Sequence, residues 1–185
     1  MFSLKKEFGE KEKKFDRKKF VQVLSISLVV GFLFATAVRI WFVFPFVPET
    51  EEMSPAFPKG KRIYISRFVR DSSLFLGDVV LVAHPTQKGK VALVRIMGKS
   101  GDQIVIKDKI LYRNGISEAQ ERSDFSLQYK DARPAFSGTY SSRDNLSNLT
   151  VEDRNYFLLC DNRDDCMDSR DFGPLPFEKI LGKVL

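Results

Sequence analysis

From Phe20 to Val38 the chain reads FVQVLSISLVVGFLFATAV, 19 residues without a charge. About 20 apolar residues are needed to cross the hydrocarbon core of a bilayer as a helix. Arg39 interrupts the run, and IWFVFPFV carries the apolar character on to Val47. Arg39 and Trp41 suit a membrane interface, where a long cation snorkels and an indole anchors. Pro45 and Pro48 mark the exit from the helix. These features predict a transmembrane anchor over residues 20–47. It should remain uncleaved, because the run exceeds the about 7–15 apolar residues of a signal peptide and no small-x-small site follows. Residues 1–19 hold eight Lys/Arg against four Asp/Glu. The positive-inside rule keeps such a tail cytoplasmic and sends residues 48–185 to the other side. The expected protein is single-pass in the cell (inner, cytoplasmic) membrane, with an extracytoplasmic C-terminal domain.

The net charge of +6 is mostly a property of that tail, since the other 166 residues carry 22 basic against 20 acidic side chains. No basic stripe marks the soluble part, which argues against a nucleic-acid partner. There is one histidine, His84, so clusters of His ligands are excluded and a Ser-His-Asp triad could run only through it. Followed by Pro85, His84 reads as a strand-end or loop residue. Neither a metal nor a cofactor is expected.

Beyond the anchor, short runs rich in Val and Ile recur between turn signals: residues 62–68, 77–83, 91–97, 103–113 and 156–160. They are too short for ordinary helices and read as strands. Asn114-Gly115 is a strong turn signal. Residues 114–153 are largely polar and read as a long excursion with a few short strands inside one domain, 48–185. The fold class is mainly β, hung from one helix.

The order of motifs is informative. The anchor leads into Glu52-Met53-Ser54-Pro55, then Gly77-Asp78 opening a strand, then VRIMGKSGD (94–102), then CDNRDDCMDSR (160–170). This series resembles the type I signal peptidase family across residues 20–185. The last motif carries most of the likeness. The family pattern Gly-Asp-Asn-Arg-Asp-Asn-Ser-x-Asp-Ser-Arg is met by Asp161, Asn162, Arg163, Asp164, Asp168, Ser169 and Arg170. Arg95, Gly98, Gly101 and Asp102 fit the family's Lys-Arg-x-x-Gly-x-Pro-Gly-Asp, and Met53 and Pro55 fit its Ser-Met-x-Pro. The resemblance implies a signal peptidase I-like, β-rich extracytoplasmic domain and a serine-type endopeptidase fold that works in signal peptide processing and protein secretion. The implied chemistry is a Ser hydroxyl whose proton passes to a Lys amine kept neutral by burial, with an oxyanion held by backbone and hydroxyl donors.

The positions that should carry this chemistry hold other residues. The register of Met53 and Pro55 puts Glu52 at the nucleophile position, and the register of Arg95 puts Val94 at the base position. Valine cannot accept a proton. The resemblance further implies that Cys166 stands where a serine orients the lysine, that Cys160 replaces a glycine packed beside it, and that Thr50 matches an oxyanion hydroxyl. Val94 and Cys160 together suggest a pocket refilled with small apolar groups. Two states of the cysteines are open: a disulfide across the pocket, or two reduced buried thiols. A zinc site is not expected with only these two Cys and no His nearby.

Ser54 is the weaker candidate nucleophile. In an extended segment it shares the orientation of residue 52 but lies about 6–7 Å farther along. Lys90 has the parity of Val94 but lies four residues away, Lys99 sits in a Gly-bounded turn and Lys61 reads as a solvated turn lysine; Ser54 otherwise reads as a turn residue. Asp161, Arg163, Asp168 and Arg170 are expected to hold the loop structurally. The reading is a catalytically inactive signal peptidase I-like membrane protein, a pseudoenzyme. It is expected to bind extended or signal peptides of exported preproteins by β-addition near residues 49–56 and 91–97, or to assist an active signal peptidase. The rival readings are an active peptidase built on Ser54 and a non-catalytic scaffold.

Overall fold

The computed structural model describes residues 16–121, 131–136 and 143–185; most of the basic tail lies outside them, as do residues 122–130 and 137–142 of the polar excursion. The chain forms two compact units, Met1–Trp41 and Phe42–Leu185.

The first unit is carried by a 26-residue helix, α1 (Arg17–Phe42). At 1.5 Å per residue it is about 39 Å long, enough for a hydrocarbon core of about 30 Å. It is the one helix among the described residues long and apolar enough to cross a membrane. Its few polar side chains satisfy themselves: the hydroxyls of Ser25, Ser27 and Thr36 donate to the carbonyls of Val21, Val23 and Phe32 at 2.8–2.9 Å. No water is therefore needed at those positions. The helix stops short of the expected end at Val47. Val43–Phe46 forms strand β1, which pairs antiparallel with β2 (Ile63–Ser66). Pro45 forbids continued helix, and as an edge-strand residue it does not interrupt the ladder.

The second unit contains β3 (Val79–Ala83), β4 (Val91–Gly98), β5 (Gln103–Lys107), β6 (Ile110–Arg113) and β7 (Ile116–Ser117). These are followed by α2 (Glu118–Glu121), β8 (Leu146–Thr150), β9 (Asn155–Leu159), α3 (Ser169–Phe172), β10 (Leu175–Pro176) and β11 (Ile180–Val184). One sheet runs β1-β2-β11-β3-β4-β9-β10 and the other β7-β6-β5-β8. The mainly β class with an N-terminal apolar helix is what the sequence led us to expect. The apolar run 103–113 is not one strand but a hairpin, turned at Asp108-Lys109 with φ of 48° and 71°. Positive φ at both central residues matches the twist of antiparallel strands, and Asn114-Gly115 (53°, 82°) repeats the device between β6 and β7. The central strand β11 lies in a segment from which the sequence reading drew no strand.

Strand β9 explains how two sheets share one chain. Tyr156, Leu158 and Cys160 enter one apolar core with Met53, Val80, Val94 and Ile96, whereas Phe157 and Leu159 enter another with Ile104, Ile106 and Leu111. Alternating residues of a strand face opposite sides, so a strand buried on both reads as a continuous apolar run. Gly98 permits the crossing at this point. A Cβ there would stand 2.8 Å from Ile104 Cδ1 and 3.1 Å from Phe157 Cβ.

Candidate functional site

Residues 51–57 form a succession of turns rather than an extended edge. Ser54 N–H donates to the Glu51 carbonyl at 3.0 Å and Phe57 N–H to that of Met53 at 2.8 Å. The turn is held from far along the chain. Asn162 donates its N–H to the Glu52 carbonyl (2.8 Å) and its side-chain amide to the Glu51 carbonyl (3.3 Å). Met53 is 1% exposed and anchors the turn in the core. This geometry overturns the shared orientation expected of residues 52 and 54. Glu52 is partly exposed and lines a cleft, whereas Ser54 is buried and lines no part of it. Among the described residues nothing hydrogen-bonds the Ser54 hydroxyl, and no lysine reaches it. Lys99 Nζ is engaged by the Leu74 carbonyl at 2.7 Å, and Lys61 and Lys90 are exposed.

Val94 is 0% exposed on β4, paired with Val80 of β3. Beside it on the same strand, Arg95 pairs with Leu159 of β9, so the register sets Val94 opposite Cys160. Cys160 and Cys166 are joined by a disulfide, with Cα atoms 6.5 Å apart. Met53, Val94, Cys160 and Cys166 belong to one apolar cluster. Asp168 completes a group of possible metal ligands with the two sulfurs. The sulfurs, however, are bonded to each other, and the carboxylate accepts from Arg170 Nε at 2.9 Å and from Cys160 N–H at 3.3 Å.

Charge gathers in the loop that follows. Arg95 grips Asp161 with two nitrogens (Nε–Oδ1 2.7 Å) and donates to the Gly77 carbonyl at 2.8 Å, tying the loop to the start of β3. Arg163 holds Glu118 of α2 through two bonds of 2.6–2.7 Å. Arg170 reaches both oxygens of Asp168 and the Arg163 carbonyl. Asp168 also caps α3, and the Ser169 hydroxyl accepts from Leu158 N–H at 2.9 Å. Asp102 closes the β4–β5 turn by accepting from Lys99 N–H at 2.9 Å. Each of these side chains replaces water with a fixed partner, the condition for burying charge.

A second polar knot, which the sequence did not suggest, joins the excursion to this loop. Lys109 ion-pairs with Asp131 and Asp164, and Arg133 grips Asp144. Burial pushes the Asp131 carboxyl upward, more than Lys109 lowers it. Burial also opposes ionisation of Asp144 and Asp164. For Asp144 the Arg133 hydrogen bond and the Phe136 amide outweigh it; for Asp164 the Lys109 hydrogen bond and the Arg133 amide do so. Both are held below the ordinary carboxylate value.

A cleft of about 500 Å³ is lined by Phe46, Glu49, Thr50, Glu52, Met53, His84, Lys90, Val91 and Leu93 among others. It runs along the part of β4 that β9 leaves open. Val91–Val94 pair with β3 on one side, while β9 pairs only from Arg95 onward. The open edge is therefore shorter than the expected 91–97, and the turn at 51–57 supplies none. Thr50 and Glu52 are brought together here; Ser54, Val94, Cys160 and Cys166 are not among its lining residues. His84 is a lining residue that sequence reasoning left as a loop position. Its Nδ1 accepts from the Gln87 main-chain N–H at 3.1 Å, which fixes a local turn in a loop that lines the cleft.

Residues 20–185 match the family described as signal peptidase, peptidase S26. Among similar curated proteins are signal peptidase IB of Staphylococcus aureus, 29% identical over 164 residues with 86% of this chain and 84% of that protein covered, and signal peptidase I U of Bacillus subtilis, 27% identical over 172 residues with 92% and 87% covered. A crystal structure of a signal peptidase I from Enterococcus faecalis is similar with 28% identity and a TM-score of 0.43, covering 61% of this chain and 97% of that one.

Proposed function

The chain belongs to the signal peptidase family, peptidase S26, and from that footing we propose that it is a membrane-anchored member that binds extended preprotein segments without cleaving them. One observation carries the reading. Val94, where the family's chemistry needs a neutral amine, is wholly enclosed in an apolar cluster with Met53 and the Cys160–Cys166 bridge. No side chain there takes a proton from a hydroxyl. Glu52 brings a carboxylate to the nucleophile position, and a carboxylate opposes the negative charge that develops on a tetrahedral oxygen.

Binding needs less than catalysis does. The open edge of Val91–Leu93 presents backbone donors and acceptors beside a cleft lined by both apolar and polar side chains. An extended peptide adds to such an edge as a strand and places alternate side chains in the cleft. The signal-peptide-bearing preproteins of the family's active members are extended substrates of that kind. The lysine-rich tail supports a cytoplasmic N-terminus, with the β unit on the opposite face of the cell membrane. On this reading residues 17–42 anchor, and Phe42–Leu185 binds.

The test is incubation of the full chain in detergent with a preprotein, beside a Ser54→Ala variant. The expected result is no processing by either protein, with crosslinking of the preprotein to residues 91–93. Processing that disappears in the variant would overturn the inactive reading in favour of a Ser54 nucleophile. Absence of any crosslink would leave a scaffold.

A further inference from the structure

Large exposed aromatic side chains on the β unit include Phe68, at 58%, and Phe75, at 62%; Phe42 is exposed as well. Phe68 and Phe42 touch. Their rings meet edge to face with centroids 5.9 Å apart, and the Phe42 carbonyl accepts from Arg67 N–H at 2.8 Å. Cations lie on the rings of this region. The guanidinium of Arg67 stands 4.6 Å from the Phe44 ring centroid, and that of Arg70 stands 4.8 Å from the Phe68 centroid.

The arginines differ from the other ring-bound cations. Lys99 and Lys183 lie over Phe75, but each is already committed, Lys99 to the Leu74 carbonyl and Lys183 to Asp78. Arg67 and Arg70 are exposed, and neither forms an ion pair among the described residues. A guanidinium stacked on a ring keeps its in-plane N–H groups free, and that planar fork matches the oxygens of a phosphate. An aromatic ring beside a free cation also suits a bilayer interface, where an apolar body meets a charged layer.

The chain itself indicates which phosphate is at hand. Phe42 is the last residue of α1 and directly precedes β1, so the patch begins where the apolar helix ends in sequence. Adjacency to the anchor in sequence makes lipid phosphates the anions that the tether itself supplies. Charge complementarity then favours the anionic lipids. We propose that Arg67 and Arg70, supported by Phe42, Phe44 and Phe68, form a seat for the phosphate of anionic phospholipid headgroups.

The seat is tested in full chain reconstituted into nanodiscs, which leave both membrane faces open. The bilayer is a fixed mixture of phosphatidylcholine and phosphatidylglycerol, with bromine on the acyl chains of one lipid or the other. A Trp41→Phe/Phe68→Trp variant places the single tryptophan in the patch. Stronger quenching by brominated phosphatidylglycerol than by the brominated choline lipid is expected, with local enrichment up to about fivefold for each arginine near the surface. Adding Arg67→Gln and Arg70→Gln should abolish that preference. Equal quenching by the two lipids, or none by either, overturns the proposal; the latter is also the outcome if an acidic protein is the true occupant. A second measurement needs no substitution. Tryptic cleavage after Arg67 and Arg70 of the unaltered chain should slow in nanodiscs containing phosphatidylglycerol relative to phosphatidylcholine alone. Equal cleavage in the two bilayers is the contrary result.

Discussion

Around Val94 the β unit buries Met53, Ile96, Leu158 and the Cys160–Cys166 bridge. Within the ten residues from Asp161 to Arg170 it buries three ion pairs instead: Arg95–Asp161, Arg163–Glu118 and Arg170–Asp168. The two regions share a covalent boundary, since Cys160 and Cys166 belong to the first while the residues between them belong to the second. The difference lies in what each charge answers to. An ion pair that links a loop to a strand or to α2 is used whenever the protein is folded. A serine–lysine pair is used only when substrate arrives, and a buried neutral lysine weakens the folded state at other times. On the proposed non-cleaving reading, the dyad can be dropped while every ion pair remains in demand.

Four experiments press on that contrast. The largest expected effect is on activity. Glu52→Ser with Val94→Lys should remain silent toward a preprotein, because a lysine forced into the filled slot overpacks it. Adding Cys160→Gly and Cys166→Ser should open the slot and raise processing about a hundredfold, the low end of what a positioned base contributes. Activity in the double variant alone would show that the slot is not filled. Next comes Arg95→Met, which strands the Asp161 carboxylate in the interior. It should destabilise the β unit by about 3–5 kcal/mol in thermal unfolding. A loss as small as that of Val94→Ala would erase the distinction between the two regions.

Removing the bridge with Cys160→Ala and Cys166→Ala should cost about 2 kcal/mol, as expected for so short a loop. The effect should be matched by reductant on the unaltered chain. The smallest effect is the pH response of the excursion. Asp144 and Asp164 have folded-state values below the ordinary carboxylate value of 3.8, so their stabilisation is present above that value and lost as pH falls through the lower one. Asp131 is shifted upward and has the opposite sign, gaining slightly as it protonates first. Melting temperature should therefore hold or rise slightly on mild acidification and fall only below the carboxylate range. Asp144→Asn should blunt the fall.

The strands at 62–68, 77–83, 91–97 and 156–160 were legible because Val, Ile and aromatic runs between turn residues have few other uses. The hairpin inside 103–113 was not, since its turn uses Asp108-Lys109 and no glycine announces it. Strand β11 escaped for another reason. Ile180–Val184 is short, contains Gly182 and Lys183, and is made a central strand by β2 and β3 on its flanks rather than by its own composition. At the site, motif register alone assigns Glu52 and Val94 to the dyad positions, while the cleft-lining place of Glu52 and the burial of Val94 come from the structure. The turn at 51–57 could not be read from the sequence, because the residue that fixes it, Asn162, lies 111 positions from Glu51. Pro55 and Pro58 were the available local hint against an extended edge.

Asn162 holds residues 51 and 52 solely by their main-chain carbonyls. A grip of that kind is indifferent to the side chain at position 52, so substitution there meets no structural resistance. Val94 is different, being hemmed in by side-chain volume and by a covalent bridge. On the non-cleaving reading, replacement at position 52 disturbed only a main-chain grip. On the same reading a return to cleavage would require coordinated change at 52, 94, 160 and 166, and the architecture would work as a ratchet.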